Sequence, residues 1–317
     1  MSQPLVSVLT PVYNGGKYLA ECIESVLNQD YPNWEYIIVN NCSTDRTPEI
    51  ARGYAERDRR IRIHTNPSLV SAIQNHNLAL RQISSESKYC KFVHADDWIF
   101  PECLSEMVKI AEAYPTVGVV CSYGLWGTRV SWDGLAYPSW FVSGREICRR
   151  SLLGGFFVFG SPTSHMMRSD LVRKYESLYN THEFHSSYAD QEACYELLQS
   201  SDFGFVHKVL TYSRLHDESR TMAFARTGLN VDMPSGLNIL VKYGPVYLGQ
   251  EDYQRRITKV MKRYYAFLGR SVFERKGAKF WAYHRDVLRH AGLRLNRARL
   301  ARAAAWEVAD TLINPLR

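Results

Sequence analysis

The 317-residue chain has no C-x-x-C pair, and its seven cysteines, at 22, 42, 90, 103, 121, 148 and 194, stand singly. An odd number of scattered thiols argues against a disulfide framework or a zinc site and for small, reduced core residues. No long apolar run is present either. Patches such as GGFFVFG at 154–160 fall far short of the roughly 20 residues a membrane-spanning helix needs. No charged segment followed by an apolar one opens the chain, so no secretory signal is expected and a cytoplasmic location is the default. The G-x-G-x-x-G, G-x-S-x-G and P-loop patterns are missing, and Gly15-Gly16 lacks the spacing of a dinucleotide fingerprint. Hydrolase and NTPase readings drop out with them. Internal repeats and low-complexity tracts are also lacking.

What charge there is lies unevenly. The net charge is +7, but residues 253–317 hold 16 Lys/Arg against 4 Asp/Glu, which is +12 and leaves the first 252 residues at −5. A basic, partner-seeking surface therefore belongs to the tail and not to the body, and no nucleic-acid partner is expected.

Apolar, β-branched runs alternate with amphipathic stretches through the first 125 residues, the pattern of βα units building a largely parallel sheet. Strands are expected at 5–12, 35–41, 61–66, 89–95 and 117–123, with helices at 17–29, 48–58, 69–83 and 101–114. Residues 124–160 read as loops with short strands, 168–200 as mostly helical, 203–216 as a closing strand, and the chain beyond about 250 as basic amphipathic helix.

Open α/β sheets bind ligands beyond the carboxyl ends of their strands. Three polar clusters fall at such ends: TPVYNGG, NNCSTD and HADD. The last places Asp96 and Asp97 side by side, an arrangement that solvent or a cation must relieve. A plain turn capping a helix that opens at Pro101 is the simpler account of that pair alone; the convergence of three clusters favours a site.

The opening VSVLTPVYNGGKYLAECIESVLNQDYPNWEYIIVNNCSTDRTPEIA, taken as a run, resembles the family 2 glycosyltransferases, and the likeness extends over about residues 4–220. It implies a GT-A-type, Rossmann-like, mostly parallel sheet flanked by helices, with a C-terminal helical appendage. The implied division is a catalytic domain at 1–222, split into a nucleotide-binding half at 1–123 and an acceptor half at 124–222, followed by a basic helical region at 223–317. In such enzymes the Pro-x-Tyr-Asn turn lies beside the base and ribose, which points to Pro11, Tyr13 and Asn14. The paired acids resemble the family's D-x-D-type motif, so Asp97 would hold Mg²⁺ or Mn²⁺ and Asp96 the ribose or the metal's surroundings.

The sequence departs from the family at three places. Asn40-Asn41 stand where relatives carry Asp that accepts from the uracil N–H, a neutral bond of about 0.5–1.5 kcal/mol in place of a charged one of roughly 1.5–3. Gln74, not Arg, precedes Asn75. His94 stands where many relatives have another Asp, and it reads first as a hydrogen-bonded strand-end residue and second as a metal ligand.

SSYADQEACYELLQ at 186–199 resembles the family's acidic helix start, which makes Asp190 the general base, with a helix cap as the competing role and Glu192 as the reserve base and acceptor contact. The resemblance further implies a metal or diphosphate contact for His216 in YSRLHDESRT, beside Arg214 and Arg220, and an acceptor pocket lined by Ser164 and His165. Trp126, Trp132, Trp140, Phe156, Phe157 and Phe159 serve either sugar stacking or packing.

The implied function is an inverting transfer of sugar from a nucleoside-diphosphate sugar, a UDP-sugar by expectation, to a glycan or lipid-linked acceptor in polysaccharide or glycoconjugate synthesis. A catalytically silent nucleotide- or glycan-binding relative acting through its tail is the alternative. A nucleotidyltransferase would want a Gly-rich basic loop after the first strand, where only Lys17 is available. The tail's apolar stripe is expected to face the body, a second copy of the chain, or an anionic membrane surface at the cytoplasmic face.

Overall fold

The computed structural model describes residues 3–131, 133–182, 188–219, 222 and 226–313. The chain divides into two compact units, one of residues 1–181 and 189–215, the other of residues 182–188 and 216–317.

The first unit begins with β1 (Val6–Val12), α1 (Leu19–Leu27), β2 (Trp34–Asn40), α2 (Thr47–Ala55), β3 (Ile61–Thr65), α3 (Ala72–Leu80) and β4 (Tyr89–Phe92). β5 (Trp98–Ile99), α4 (Cys103–Ala113), β6 (Val117–Trp126), β7 (Arg129–Ser131), β8 (Phe141–Val142) and α5 (Gly144–Leu153) follow. It closes with β9 (His165–Arg168), α6 (Ser169–Val172), α7 (Ala189–Leu197) and β10 (Asp202–Ser213). The central sheet runs β3-β2-β1-β4-β9-β6-β10-β5. Neighbours among β3, β2, β1 and β4 are parallel, as are β6 and β10, while β9 lies antiparallel between β4 and β6.

β1 and β2 are buried almost throughout because helices cover both faces of the sheet. On one face Val6, Val8 and Val12 pack with Tyr36 and Ile38 against Leu19, Cys22, Ile23 and Val26 of α1 and Met107 of α4. Each such aliphatic side chain contributes about 1.5–3 kcal/mol by leaving water. Six of the seven cysteines are buried and none is paired, and burial pushes the Cys22 and Cys90 thiols up to about 12.

Two stretches depart from the sequence expectation. Residues 144–153, read as loop, form α5, which Ser143 caps by accepting from the Glu146 N–H at 3.3 Å. Within 168–200, read as mostly helical, only α6 and α7 are helices among the described residues. α6, only four residues long, follows directly on β9.

The second unit is helical: α8 (Asp232–Tyr247), α9 (Gln250–Phe273), α10 (Ala278–His290) and α11 (Arg297–Ile313). Tyr264, Tyr265, Leu268, Phe280 and Leu288 form its core, with Phe267, Trp281, Leu293 and Leu295 packed against them. Most of the tail's apolar stripe is therefore consumed by its own helices, leaving Phe273 at 52% and Trp306 at 73% exposure. A Cβ on Gly269 would stand 2.9 Å from the Ala303 backbone, so glycine there lets α9 and α11 approach. No described helix is long and apolar enough to cross a membrane.

Candidate active site

β4 ends at Phe92, and the chain leaves the sheet through Val93, His94, Ala95, Asp96 and Asp97. Thr10 on β1 fixes the exit by donating its hydroxyl to Val93 O at 2.6 Å. The Asp97 N–H then donates to His94 O at 3.0 Å, closing a four-residue turn. That turn gathers one ligand atom each from His94, Asp96 and Asp97 within 4.8 Å of one another.

Asp97 is 6% exposed. Its Oδ2 accepts from Thr163 Oγ1 at 2.7 Å and Ser213 Oγ at 3.3 Å, and its Oδ1 from the Arg214 N–H at 3.1 Å. Burial, then the neighbouring charge of Asp96, pushes its carboxyl up to about 7, while the three donors oppose the rise. A carboxylate has about four acceptor positions, so three neutral donors leave room for a cation, and a cation is what such a disfavoured charge calls for. The donor set thus fits a divalent ion.

Two rings stand beside the turn. His94 Nε2 lies 2.9 Å from His76 Nε2, and His76 Nδ1 lies 2.7 Å from Ala72 O on the same helix, α3. Phe92 and Tyr179 hold the His76 ring, with centroids at 5.1 and 5.5 Å. On another side Arg214 donates to Asp96 O at 3.1 Å and pairs with Glu21 at 2.5 Å, its guanidinium over the rings of Tyr18 and Trp98. Thr163 and His76 carry no sequence signal of a role here, since only the fold brings them to the turn.

Where the first two strands end, Asn14 adopts a left-handed φ of 51° and knits the loops together. Its N–H donates to Ser43 Oγ at 2.9 Å and its Oδ1 accepts from the Thr44 N–H at 2.8 Å. Pro11 lies at the end of β1 and Tyr13 is 50% exposed beside it. Asn40 and Asn41 are both 3% exposed, and their amides are engaged by the chain itself. Asn40 Oδ1 accepts from the Ser43 N–H at 3.0 Å. Asn41 clamps the Val70 peptide, donating to its O at 2.8 Å and accepting its N–H at 3.0 Å. Asn66, which the sequence did not single out, donates to Asn41 at 3.0 Å and Asn75 at 2.8 Å. Gln74 is exposed and closes a capping box with Ser71 at the start of α3.

On the acceptor side Asp190 sits half-buried in the first turn of α7, accepting from the Gln191 N–H at 2.9 Å. Its charge, after burial, helps raise the pKa of the Tyr179 phenol, so the two are near neighbours. Glu192 is 2% exposed and accepts from Asn180 at 3.3 Å. Ser164 and His165 are wholly buried and offer no surface to an acceptor in this structure, and burial pushes the His165 imidazole down to about 3. Phe159 is core, Trp140 packs against core, and Trp126 and Phe157 are exposed. His216 lies in the second unit, in a turn closed by the Ser219 N–H at 3.1 Å. Trp132 and Arg220 fall outside the described residues.

Residues 7–176 match the profile of Glycosyl transferase family 2. The chain belongs to that family. EpsE of Bacillus subtilis is 32% identical over 235 residues, covering 67% of this chain and 79% of EpsE. Glycosyltransferase GlyG of Streptococcus pneumoniae is 32% identical over 151 residues, 47% of either chain, and EpsH of B. subtilis is 36% identical over 124 residues. The chain spans 47% of GlyG and 35% of EpsH, less than half of either. Residues 1–349 of S. aureus TarS in complex with UDP-GlcNAc superpose with a TM-score of 0.65 at 18% identity, over 91% of this chain and 80% of that one. A mannosyltransferase of Pyrobaculum calidifontis in complex with GDP-Man and Mn²⁺ gives 0.56 at 15% identity, over 100% and 82%. At these identities the likeness is one of fold, and for this family 2 member the fold is GT-A.

Proposed function

We propose that the chain transfers a sugar from a nucleoside-diphosphate sugar to an acceptor hydroxyl with inversion, in the synthesis of a polysaccharide or glycoconjugate. The observation that carries this reading is the His94–Asp97 turn, where a buried carboxylate pushed up to about 7 stands beside a second one at the carboxyl end of a central strand. Asp97 and Asp96, in the turn that ends the central strand, would hold Mn²⁺ or Mg²⁺. Such an ion neutralises the charge that builds on a departing diphosphate.

The other steps belong to side chains. Tyr13 offers a half-exposed ring to the base, while Pro11, Asn14, Asn40, Asn41, Gln74 and Asn75 support the nucleotide pocket. Asp190 takes the proton of the acceptor hydroxyl, and a carboxylate at a helix start is held in one place for that task. A UDP-sugar is the proposed donor, in keeping with the UDP-GlcNAc carried by the TarS neighbour. The proposed acceptor is a glycan or a lipid-linked one. Work at the cytoplasmic face of a membrane would use the basic second unit, with Phe273 and Trp306 among its exposed apolar groups.

Incubation of the chain with a panel of UDP- and GDP-sugars, Mn²⁺ and candidate acceptors tests the proposal. A glycosidic product whose anomeric configuration is opposite to the donor's supports it. Retained configuration, or tight nucleotide-sugar binding with no product from any acceptor, sinks it and favours the silent relative.

A further inference from the structure

His76 Nδ1 lies 2.7 Å from the carbonyl of Ala72. A carbonyl oxygen only accepts, so the proton of that hydrogen bond sits on His76 Nδ1. In the neutral imidazole the other nitrogen, Nε2, is then an acceptor, and it stands 2.9 Å from His94 Nε2. The proton between the rings consequently belongs to His94 Nε2. A neutral His94 with its proton on Nε2 carries its lone pair on Nδ1, and Nδ1 is the atom on the Asp97 side, 4.0 Å from Asp97 Oδ2.

We infer that His94 is a metal ligand through Nδ1, and that His76 is a positioning residue that holds it in the ligating tautomer and gives the site a preference for Mn²⁺ over Mg²⁺. The inference rests on the proposal above that a divalent ion binds at Asp97. Ligating histidines commonly use their second nitrogen in this way, which fixes ring and tautomer together. Here the hydrogen bond is backed by packing: Phe92 and Tyr179 leave the His76 ring little room to turn, and the two imidazoles meet edge to face at 89°. The separation suits an ion as well. Donor atoms about 2.0–2.2 Å from a common centre stand some 3–4.4 Å apart, and His94 Nδ1 and Asp97 Oδ2 stand 4.0 Å apart. An imidazole nitrogen suits a first-row transition ion, while Mg²⁺ favours oxygen and water.

Pulsed EPR on the full chain loaded with Mn²⁺ and UDP provides a readout that does not depend on turnover. Nitrogen modulation from a directly bound imidazole is expected, it should change when histidine is labelled with ¹⁵N, and it should vanish in His94→Asn. His76→Phe, which cannot accept, should weaken Mn²⁺ binding by about 10–100-fold. His76→Gln, whose amide oxygen can accept from His94, should restore much of it, and His94→Asp should bring the Mn²⁺ and Mg²⁺ affinities closer together. Mn²⁺ that binds, is lost in Asp97→Ala and shows no histidine nitrogen overturns the inference while leaving the metal proposal in place. Failure of the native chain to bind Mn²⁺ with or without UDP overturns both.

Discussion

Thr163 donates its hydroxyl to Asp97 Oδ2 at 2.7 Å, across 66 positions of sequence. Thr163 Oγ1 also accepts the His94 N–H at 3.2 Å, so one side chain braces both ends of the acidic turn. Thr163→Val keeps the volume and removes both contacts. Metal affinity in the presence of UDP should fall about tenfold, the lower end of what supporting groups contribute, with little change in secondary structure. Calorimetric titration with Mn²⁺ reads it, and an unaltered affinity would separate Thr163 from the site.

Asp97 and Asp190 should fail in different ways. Asp97→Ala should abolish metal-dependent nucleotide binding. Asp190→Asn should leave donor binding intact and lower transfer by about 10²–10⁴-fold, the usual contribution of a general base. Equilibrium binding and turnover measured on the same preparations separate the two. Near-normal turnover in Asp190→Asn would move the base elsewhere.

The amide of Asn41 supports a loop, whereas the ring of Tyr13 is open to solvent. Asn41→Ala strips partners from the Val70 peptide and from Asn66, and leaving such buried groups unpaired costs about 1–3 kcal/mol. Tyr13→Ala should change stability by less than about 0.5 kcal/mol yet weaken nucleotide binding by about 1–3 kcal/mol, the worth of base stacking on an aromatic ring. Urea denaturation and UDP titration of both variants check the contrast, which fails if Asn41→Ala is as stable as the native chain.

The second unit should be acid-sensitive through His284. This residue is fully buried, with Nδ1 2.6 Å from the Tyr264 hydroxyl, and burial pushes its pKa down to about 4 from an ordinary 6.5. The unfolded chain therefore takes up a proton that the folded chain refuses. Stability from this group is complete above pH 6.5 and is lost as pH falls through about 4, a change on the order of 3 kcal/mol. His284→Gln should narrow the gap between denaturation midpoints at pH 7 and pH 4; an unchanged gap would place the acid sensitivity in other groups.

The parallel half of the sheet was legible because its strands are short apolar runs closed by polar clusters, and the period changes cleanly between β2 and α2. HADD was legible for the same reason, since two adjacent acids at a strand end have few structural uses. β9 was not, because four residues bordered by a proline turn and a short helix leave no period to detect. His76 escaped notice because a histidine on the polar side of α3 looks like any solvated residue until the fold sets it against His94. Asn41 was identified as a position but not as a clamp, for its partner Val70 is apolar and contributes only backbone.

The position of β9 bears on how the chain is made. It begins at residue 165, long after β4 ends at 92 and β6 at 126, and it fills the seam between them. Until a ribosome has delivered it, β4 presents an open row of backbone donors and acceptors, the usual starting point for pairing with foreign strands. Lys91 sits in that row. In the finished protein its amino group is wholly buried and donates to the Thr163 carbonyl at 2.5 Å, and burial pushes its pKa down. In the growing chain the same side chain faces water as an ammonium, and a lysine on an open edge keeps other strands away until the chain's own strand docks.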